Sequence, residues 1–174
     1  MDLQIQKLSA LVLLFVSPLT ITIIGNNLGA GIRFPLVLYQ ETVYGTSLIP
    51  VWREIDYVAA GLIGGRSACA ILLWTLGTLL LLAAVAYLII RRYEGHRHTV
   101  ALLLAGAGVA YLASIIAQYG PLFHGPAGFC IPAGVPLIFG VAWWVYHAGE
   151  EDESNGVDDL QEPESDEVPS GDSR

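Results

Sequence analysis

The sequence predicts an all-α fold: an integral membrane four-helix bundle followed by a disordered acidic C-terminal tail. The segment Ser67–Ile90 contains no charged residue, and an apolar run of 18 or more residues is typical of a membrane span. Three further stretches, about 8–24, 99–117 and 129–147, lack Asp, Glu, Lys and Arg. Residues 1–149 are therefore expected to form one membrane domain with four spans.

The charge of the chain is concentrated at its C-terminal end. The net charge is −8, yet residues 150–174 carry eleven acidic residues and one Arg, so residues 1–149 are slightly basic. The tail has no hydrophobic repeat that could offset the entropy of ordering, so we expect a disordered cytoplasmic segment. The few scattered basic residues exclude a nucleic-acid-binding protein.

The first predicted span, residues 8–24, is seventeen residues long and contains Pro18, which is expected to kink it. A cleaved signal peptide is the alternative interpretation. It is disfavoured because the residues before the apolar run are scarcely positive and no small-residue cleavage site follows.

The connection 25–66 is interpreted as an outer loop with an interfacial helix at about 50–62. Trp52, Ile55, Ala59 and Leu62 follow helical spacing and are expected to form its apolar face. The acidic residues Glu54 and Asp56 are expected to point away from that face. A re-entrant hairpin is the alternative for residues 32–62.

The second span, 67–90, ends at a basic cluster that contains Arg91, Arg92 and Arg97. Because positively charged loops stay in the cytoplasm, we expect this link on the inner side of the cell membrane. With four spans, both termini are then cytoplasmic.

The third span contains small residues at every fourth position, Gly106, Ala110 and Ser114. Such a stripe allows another helix to approach closely, so we expect a helix-packing seam there. The alternative is that Ala and Gly are simply common in membrane helices.

One group of residues has catalytic chemistry. Arg66 and Cys69 are three residues apart at the start of span two, and the threading brings His124 and Cys130 to the same membrane surface. A thiolate beside a guanidinium and an imidazole is an activated nucleophile. The alternative is an interfacial Arg, a small buried Cys and a loop His. The sequence leaves open whether the two cysteines are bonded.

The remaining polar residues indicate no cofactor or metal site. His96, His98 and His147 are expected near one another at the inner surface, but their spacing defines no metal geometry. The hydroxyl groups of the spans would line an oligomeric pore or bond within the helices; they belong to Thr20, Thr75, Thr78 and Ser114.

Three short motifs carry a family resemblance: Ile55-Asp56-Tyr57 before span two, Ile131–Gly134 opening span four, and Trp143-Trp144 closing it. With the acidic end and sparing Lys, the chain resembles small uncharacterised four-span membrane proteins of salt-adapted archaea that are encoded near archaeosortases. The resemblance implies no activity and no functional residue. The chain lacks the multi-span body of archaeosortases themselves.

The function indicated by these patterns is that of an accessory or interaction protein in the membrane. Its expected partners are the lipid bilayer and either a larger membrane protein or a second copy of the chain. The alternatives are an intramembrane thiol enzyme that uses Cys69 and a subunit of an oligomeric transporter or channel.

Overall fold

The structure, a computed structural model, describes residues 3–25, 28–90, 97–125 and 128–147. In this part of the chain it contains five helices and a six-stranded sheet. The predicted all-α four-helix bundle is therefore wrong. The helices are α1 (Leu3–Val16), α2 (Val51–Ala59), α3 (Gly65–Ile90), α4 (Arg97–Tyr119) and α5 (Gly134–His147). The strands are β1 (Thr20–Ile24), β2 (Gly29–Arg33), β3 (Val37–Thr42), β4 (Gly45–Pro50), β5 (His124–Gly125) and β6 (Gly128–Ile131).

The sheet has the strand order β4-β3-β2-β1-β6-β5, and all its neighbouring strands are antiparallel. The predicted outer loop thus supplies three of its strands, and the ends of two predicted spans supply two more. Leu19 N–H donates to the Arg33 carbonyl, and Gly134 N–H donates to the Leu19 carbonyl. The first bond ties the segment after α1 to β2, and the second ties the start of α5 to that same segment.

The first predicted span divides into a helix and a strand. Helix α1 ends at Val16, and residues 20–24, TITII, form β1 instead of the last helical turns. Pro18 lacks the N–H that a helix requires, and β-branched residues favour extended backbone. β1 also has hydrogen-bonding neighbours on both sides, β2 and β6. Absence of charge is shared by a membrane helix and a central strand, so it did not distinguish the two.

The fourth predicted span divides in the opposite order. Phe129–Ile131 belong to β6, and α5 starts only at Gly134. A Cβ on Gly134 would lie 2.6 Å from the Pro18 carbonyl oxygen, so this close approach of two chain segments requires glycine.

The predicted interfacial helix is observed as α2, and one of its acidic residues points into the protein. Glu54 is only 6% exposed, whereas Trp52 is 62% and Leu62, just after the helix, is 74% exposed. The helix therefore turns Glu54 inward, while Trp52 and the second acidic residue, Asp56, are exposed.

A tight turn between β2 and β3 fixes the sheet to α3. Four successive carbonyl groups in this turn each accept a hydrogen bond from a different residue, and two of the donors lie in α3. The pairs are Arg33 with Leu19 N–H (2.7 Å), Phe34 with Trp74 Nε1 (3.2 Å), Pro35 with Thr78 Oγ1 (2.6 Å) and Leu36 with Val51 N–H (2.9 Å). Since Thr78 lies near the middle of α3, the turn reaches about 20 Å along that helix from its start.

The helices α3 and α4 pack as an antiparallel pair, and the described core lies mainly between them, α1 and α5. Its largest side chains, Trp74 and Tyr111, are almost completely buried. Ser114 Oγ donates to the Ala70 carbonyl across the pair at 2.7 Å. Arg97 is the first residue of α4, while Arg91, Arg92 and the predicted tail 150–174 lie outside the described residues.

Candidate ligand-binding cavity

A cavity of about 560 Å³ separates the sheet from the adjoining ends of α3 and α4. Because side chains alternate along a strand, Thr22, Ile24 and Arg33 share the sheet face that points towards the helices. Its walls are formed by residues of the sheet, of α2, α3 and α4, and of the segments between these elements. They are formed by Thr22, Ile24, Gly25, Leu28, Gly31, Arg33, Leu38, Gln40, Glu54, Ile63, Ser67, Ile71, Gln118 and Tyr119.

The most unusual wall residue is Arg33, the last residue of β2. Its guanidinium carbon lies 4.8 Å from the centre of the Trp74 ring, so the indole covers one face of the cation. Its Nε is buried and has no hydrogen-bond partner among the described residues. Burial lowers the pKa of Arg33, opposed by the charges of Tyr119, Glu54 and Cys130, but an arginine remains charged in any protein environment. The cavity therefore contains a cation with an unused hydrogen-bond donor.

Glu54 supplies a carboxyl group to the same cavity from α2. Burial raises the pKa of Glu54, and the positive charge of Arg33 opposes that change. The carboxyl group thus takes up a proton more readily than an exposed glutamate. The pair gives the cavity one fixed positive charge and one adjustable negative charge.

Cys130 is buried behind the cavity on β6, with 1% of its surface exposed. Burial raises the pKa of the Cys130 thiol, while Arg33 and a hydrogen bond with Thr20 oppose that change. The thiol remains protonated at neutral pH and is a poor nucleophile, because the thiolate is the reactive form.

The residues proposed as catalytic lie at one end of the molecule, and the structure shows no catalytic contact among them. Arg66 Nε donates to the Ala117 carbonyl at 3.1 Å, which ties the start of α3 to the end of α4. Cys69 is an exposed free thiol, and His124 is exposed on the edge strand β5. Within the described structure no hydrogen bond or ring contact joins Cys69 to Arg66 or His124.

The predicted packing seam lies against α3, but its tightest contacts involve other residues. Ala110 and Ser114 are buried, and a Cβ on Gly106 would lie a comfortable 3.5 Å from Leu80 Cδ1. By contrast, a Cβ on Gly77 would lie 2.8 Å from the Tyr111 ring, and one on Gly108 would lie 2.9 Å from the Phe139 ring. Glycine stacked under an aromatic ring, not the small-residue stripe, marks the closest helix approaches.

The other polar residues of the predicted spans bond within the protein. Thr75 Oγ1 donates to the Ile71 carbonyl at 2.9 Å, and Thr20 is buried. At the opposite end of the helices, the rings of His98 and His147 both contact Tyr146, while His96 lies outside the described residues. No group of three or more His, Cys, Asp or Glu in the described ranges is placed to hold a metal ion.

Sequence reasoning missed both charged residues of the cavity. Neither lies in a charged motif, and Glu54 was expected only to point away from the apolar face of its helix. A usable signal was the two-residue alternation of Gly29, Gly31 and Arg33 in a strand-like segment, since it places all three on one sheet face.

No protein-family model matches this chain, and a search of curated proteins finds no similar sequence.

Proposed function

We propose that this chain is an integral membrane protein that acts by binding rather than by catalysis. In this proposal α3 and α4 cross the bilayer, the sheet lies at the outer surface, and the cavity between them holds a small ligand. The observation that carries the binding role is the Arg33 cation, half-buried in the wall of a cavity large enough for a ligand.

The apolar surface of α3 supports a membrane location. Gly65–Ile90 and His98–Tyr119 are the two helices of the described chain that are long and apolar enough to cross a bilayer. Leu72, Leu76 and Leu79 are 47–58% exposed and repeat at helical spacing. A water-soluble helix places polar residues on such a face, whereas a lipid-facing helix places leucines there.

The sheet face that points away from the cavity supports partial immersion of the sheet in the bilayer. Cross-strand pairing aligns one apolar row at the end of the sheet nearest the helices: Leu48, Tyr39, Ile32, Ile21 and Ile131. The opposite end of the β3–β4 hairpin carries polar residues, including Glu41, Thr42 and Thr46. This gradient fits a sheet whose lower edge meets lipid and whose tip meets water.

The carbonyl groups of the turn 33–36 all accept hydrogen bonds, which fits the same placement. Non-helical backbone at membrane depth is tolerated only where protein surrounds it and satisfies its polar groups. Pro35 is buried, and its carbonyl and that of Phe34 accept side-chain hydrogen bonds from α3.

The orientation follows from the ends of the α3–α4 pair. The sheet lies at the start of α3 and the end of α4, while the basic link that contains Arg91 and Arg92 lies at the other end. Positively charged links favour the cytoplasm, so the sheet faces outward. α1 begins at the inner end of the helix pair, and α5 ends there. Each has fourteen residues, or about 21 Å, and is too short to cross the bilayer alone.

The binding role is tested by native mass spectrometry of protein extracted from its own membranes. We expect a small molecule to remain bound to the parent chain. A Ser67→Trp variant, which fills the cavity from α3, should lose it. The matched control is Leu72→Trp, at an exposed site on the same helix, which should retain it. Loss of the ligand in both variants, or no bound molecule in the parent, would contradict a binding role for the cavity.

A further inference from the structure

We infer that the cavity binds the singly charged phosphodiester head of an amphiphile, with Arg33 as the residue that holds the phosphate oxygens. This inference deepens the proposed binding function and depends on the outward, membrane-level placement of the cavity.

The guanidinium group of Arg33 matches an oxyanion better than it matches any other ligand group. A guanidinium presents its N–H donors in a planar fork that matches two oxygens of a phosphate or carboxylate. Arg33 lines the cavity, Trp74 covers one face of its guanidinium, and its Nε is shielded from solvent and lacks a partner among the described residues. A cation with an unpartnered donor is unfavourable, and an oxyanion beside the guanidinium compensates its charge.

The cavity also selects against multiply charged ligands. Glu54 faces Arg33 from α2, so the two wall charges balance when Glu54 is ionised. A singly charged head makes the site neutral when Glu54 holds a proton and gives it one negative charge when Glu54 is ionised, whereas a phosphate monoester adds a second negative charge in either case. Tyr119 and Cys130 are the other titratable groups near Arg33, and burial keeps the Cys130 thiol protonated.

The rest of the cavity fits an amphiphile rather than a free ion. Five aliphatic side chains line it: Ile24, Leu28, Leu38, Ile63 and Ile71. Polar groups that can bond a headgroup, such as Gln40, Ser67 and Gln118, complete the wall. A volume of about 560 Å³ lies within the range of known small-ligand pockets, roughly 300–1,000 Å³. It accommodates a headgroup and the first part of a chain.

Depth in the membrane points to the same ligand class. Trp74 lies nine residues after Gly65, about 13 Å along α3 from its outer end. The Arg33 cation therefore lies beside the outer half of the 26-residue helix α3, at a level that an outer-leaflet lipid reaches from the side of the membrane.

The test measures binding to purified full-length protein after delipidation in a neutral detergent. Three probes separate the parts of the ligand: dihexanoyl phosphatidylglycerol, its water-soluble head glycerophosphoglycerol, and uncharged dihexanoylglycerol. A fourth probe, octanoate, tests a carboxylate head in place of the phosphodiester. We expect the complete amphiphile to bind at least about tenfold more tightly than either part, because the ion contact and the apolar contacts both contribute. Equal binding of the head alone would assign the site to a soluble phosphodiester, and stronger binding of octanoate than of phosphatidylglycerol would overturn the phosphodiester assignment.

Arg33→Gln should weaken binding of the phosphatidylglycerol probe at least about tenfold, and Arg33→Lys should restore part of it. The matched control is Arg53→Gln, which removes the same charge from an exposed position on α2 and should leave binding unchanged. A melting measurement without ligand shows that the variants fold. Unchanged binding in folded Arg33→Gln would overturn the role of Arg33. If Ser67→Trp also fails to reduce ligand binding, the proposed cavity function fails as well; if Ser67→Trp alone reduces it, only the present inference fails.

Discussion

At the scale of single residues, Thr78 holds three parts of the fold together. Its hydroxyl is 2.6 Å from the Pro35 carbonyl and 3.1 Å from the Tyr111 hydroxyl. Since a hydroxyl has one proton, Thr78 donates to Pro35 while Tyr111 donates to Thr78. A single side chain therefore joins the sheet turn to α3 and α4.

Thr78→Val removes this junction while preserving volume. We expect a loss of about 1–3 kcal/mol in the free energy of unfolding, because the Pro35 carbonyl and the Tyr111 hydroxyl lose a partner in a buried site. Thr75→Val is the matched control, since Thr75 bonds only within its own helix. Denaturation in detergent measures both variants, and equal stability of the two would contradict the proposed junction.

Gly77 tests helix packing. The Tyr111 ring is buried and fixed through its hydroxyl, so a methyl group at Gly77 cannot be accommodated without moving α4. Gly77→Ala should destabilise the protein by about 1–3 kcal/mol, whereas Gly140→Ala, with no atom within 4 Å of the added Cβ, should not. The melting temperatures of the two variants test this prediction. An unchanged melting temperature in Gly77→Ala would show that α3 and α4 are farther apart.

Glu54 makes stability depend on pH. Its pKa is raised in the folded protein, so the folded state holds the proton more tightly than the unfolded state. This contribution is complete below the ordinary glutamate pKa of 4.5 and is lost as pH rises through the folded-state pKa. Glu54→Gln should flatten the decline in melting temperature above pH 4.5, while Glu41→Gln on β3 serves as a control with an exposed carboxylate. An unchanged pH profile in Glu54→Gln would show that its carboxyl group is solvated.

At the scale of elements, the sequence predicted the two long helices well and the sheet not at all. Ser67–Ile90 is apolar on every face over a length that only a helix uses, so its identity did not depend on context. Thr20–Ile24 and Phe129–Ile131 are uncharged like the helices they adjoin, and only their pairing with distant strands makes them extended. The cavity was equally unpredictable, because the environment of Arg33 is built from β2, α2 and α3 together.

The register of β1 and β2 gives a direct test of the sheet. Ile21 is paired with Ile32 and Ile23 with Ala30. In a chain with Cys69→Ser and Cys130→Ser, cysteines at the pair Ile21 and Ile32 should form a disulfide on mild oxidation, because paired strand positions lie within bonding range. Cysteines at Ile21 and Ala30, two positions out of register, should react much less. Mass spectrometry of the oxidised variants measures the yield of the disulfide, and equal yields for the two pairs would contradict this register.

At the scale of the whole molecule, the proposed membrane placement turns the exposed leucines of the helical body towards lipid and puts the sheet over a charged cavity at one end. The exposed apolar face of α2, with Trp52 and nearby Leu62, lies beside the same end. Aromatic and aliphatic side chains in that position suit the membrane surface. Each part thus has a place in a single orientation relative to the bilayer.

That orientation is tested most directly by labelling single cysteines in intact cells with a membrane-impermeant thiol reagent, in a background with Cys69→Ser. Tyr44→Cys, at the 93% exposed tip of the β3–β4 hairpin, should react from outside. His147→Cys, at the exposed far end of α5, should react only after the membrane is opened. Reaction of His147→Cys but not Tyr44→Cys in intact cells would invert the molecule, and reaction of both from the same side would contradict its insertion across the membrane.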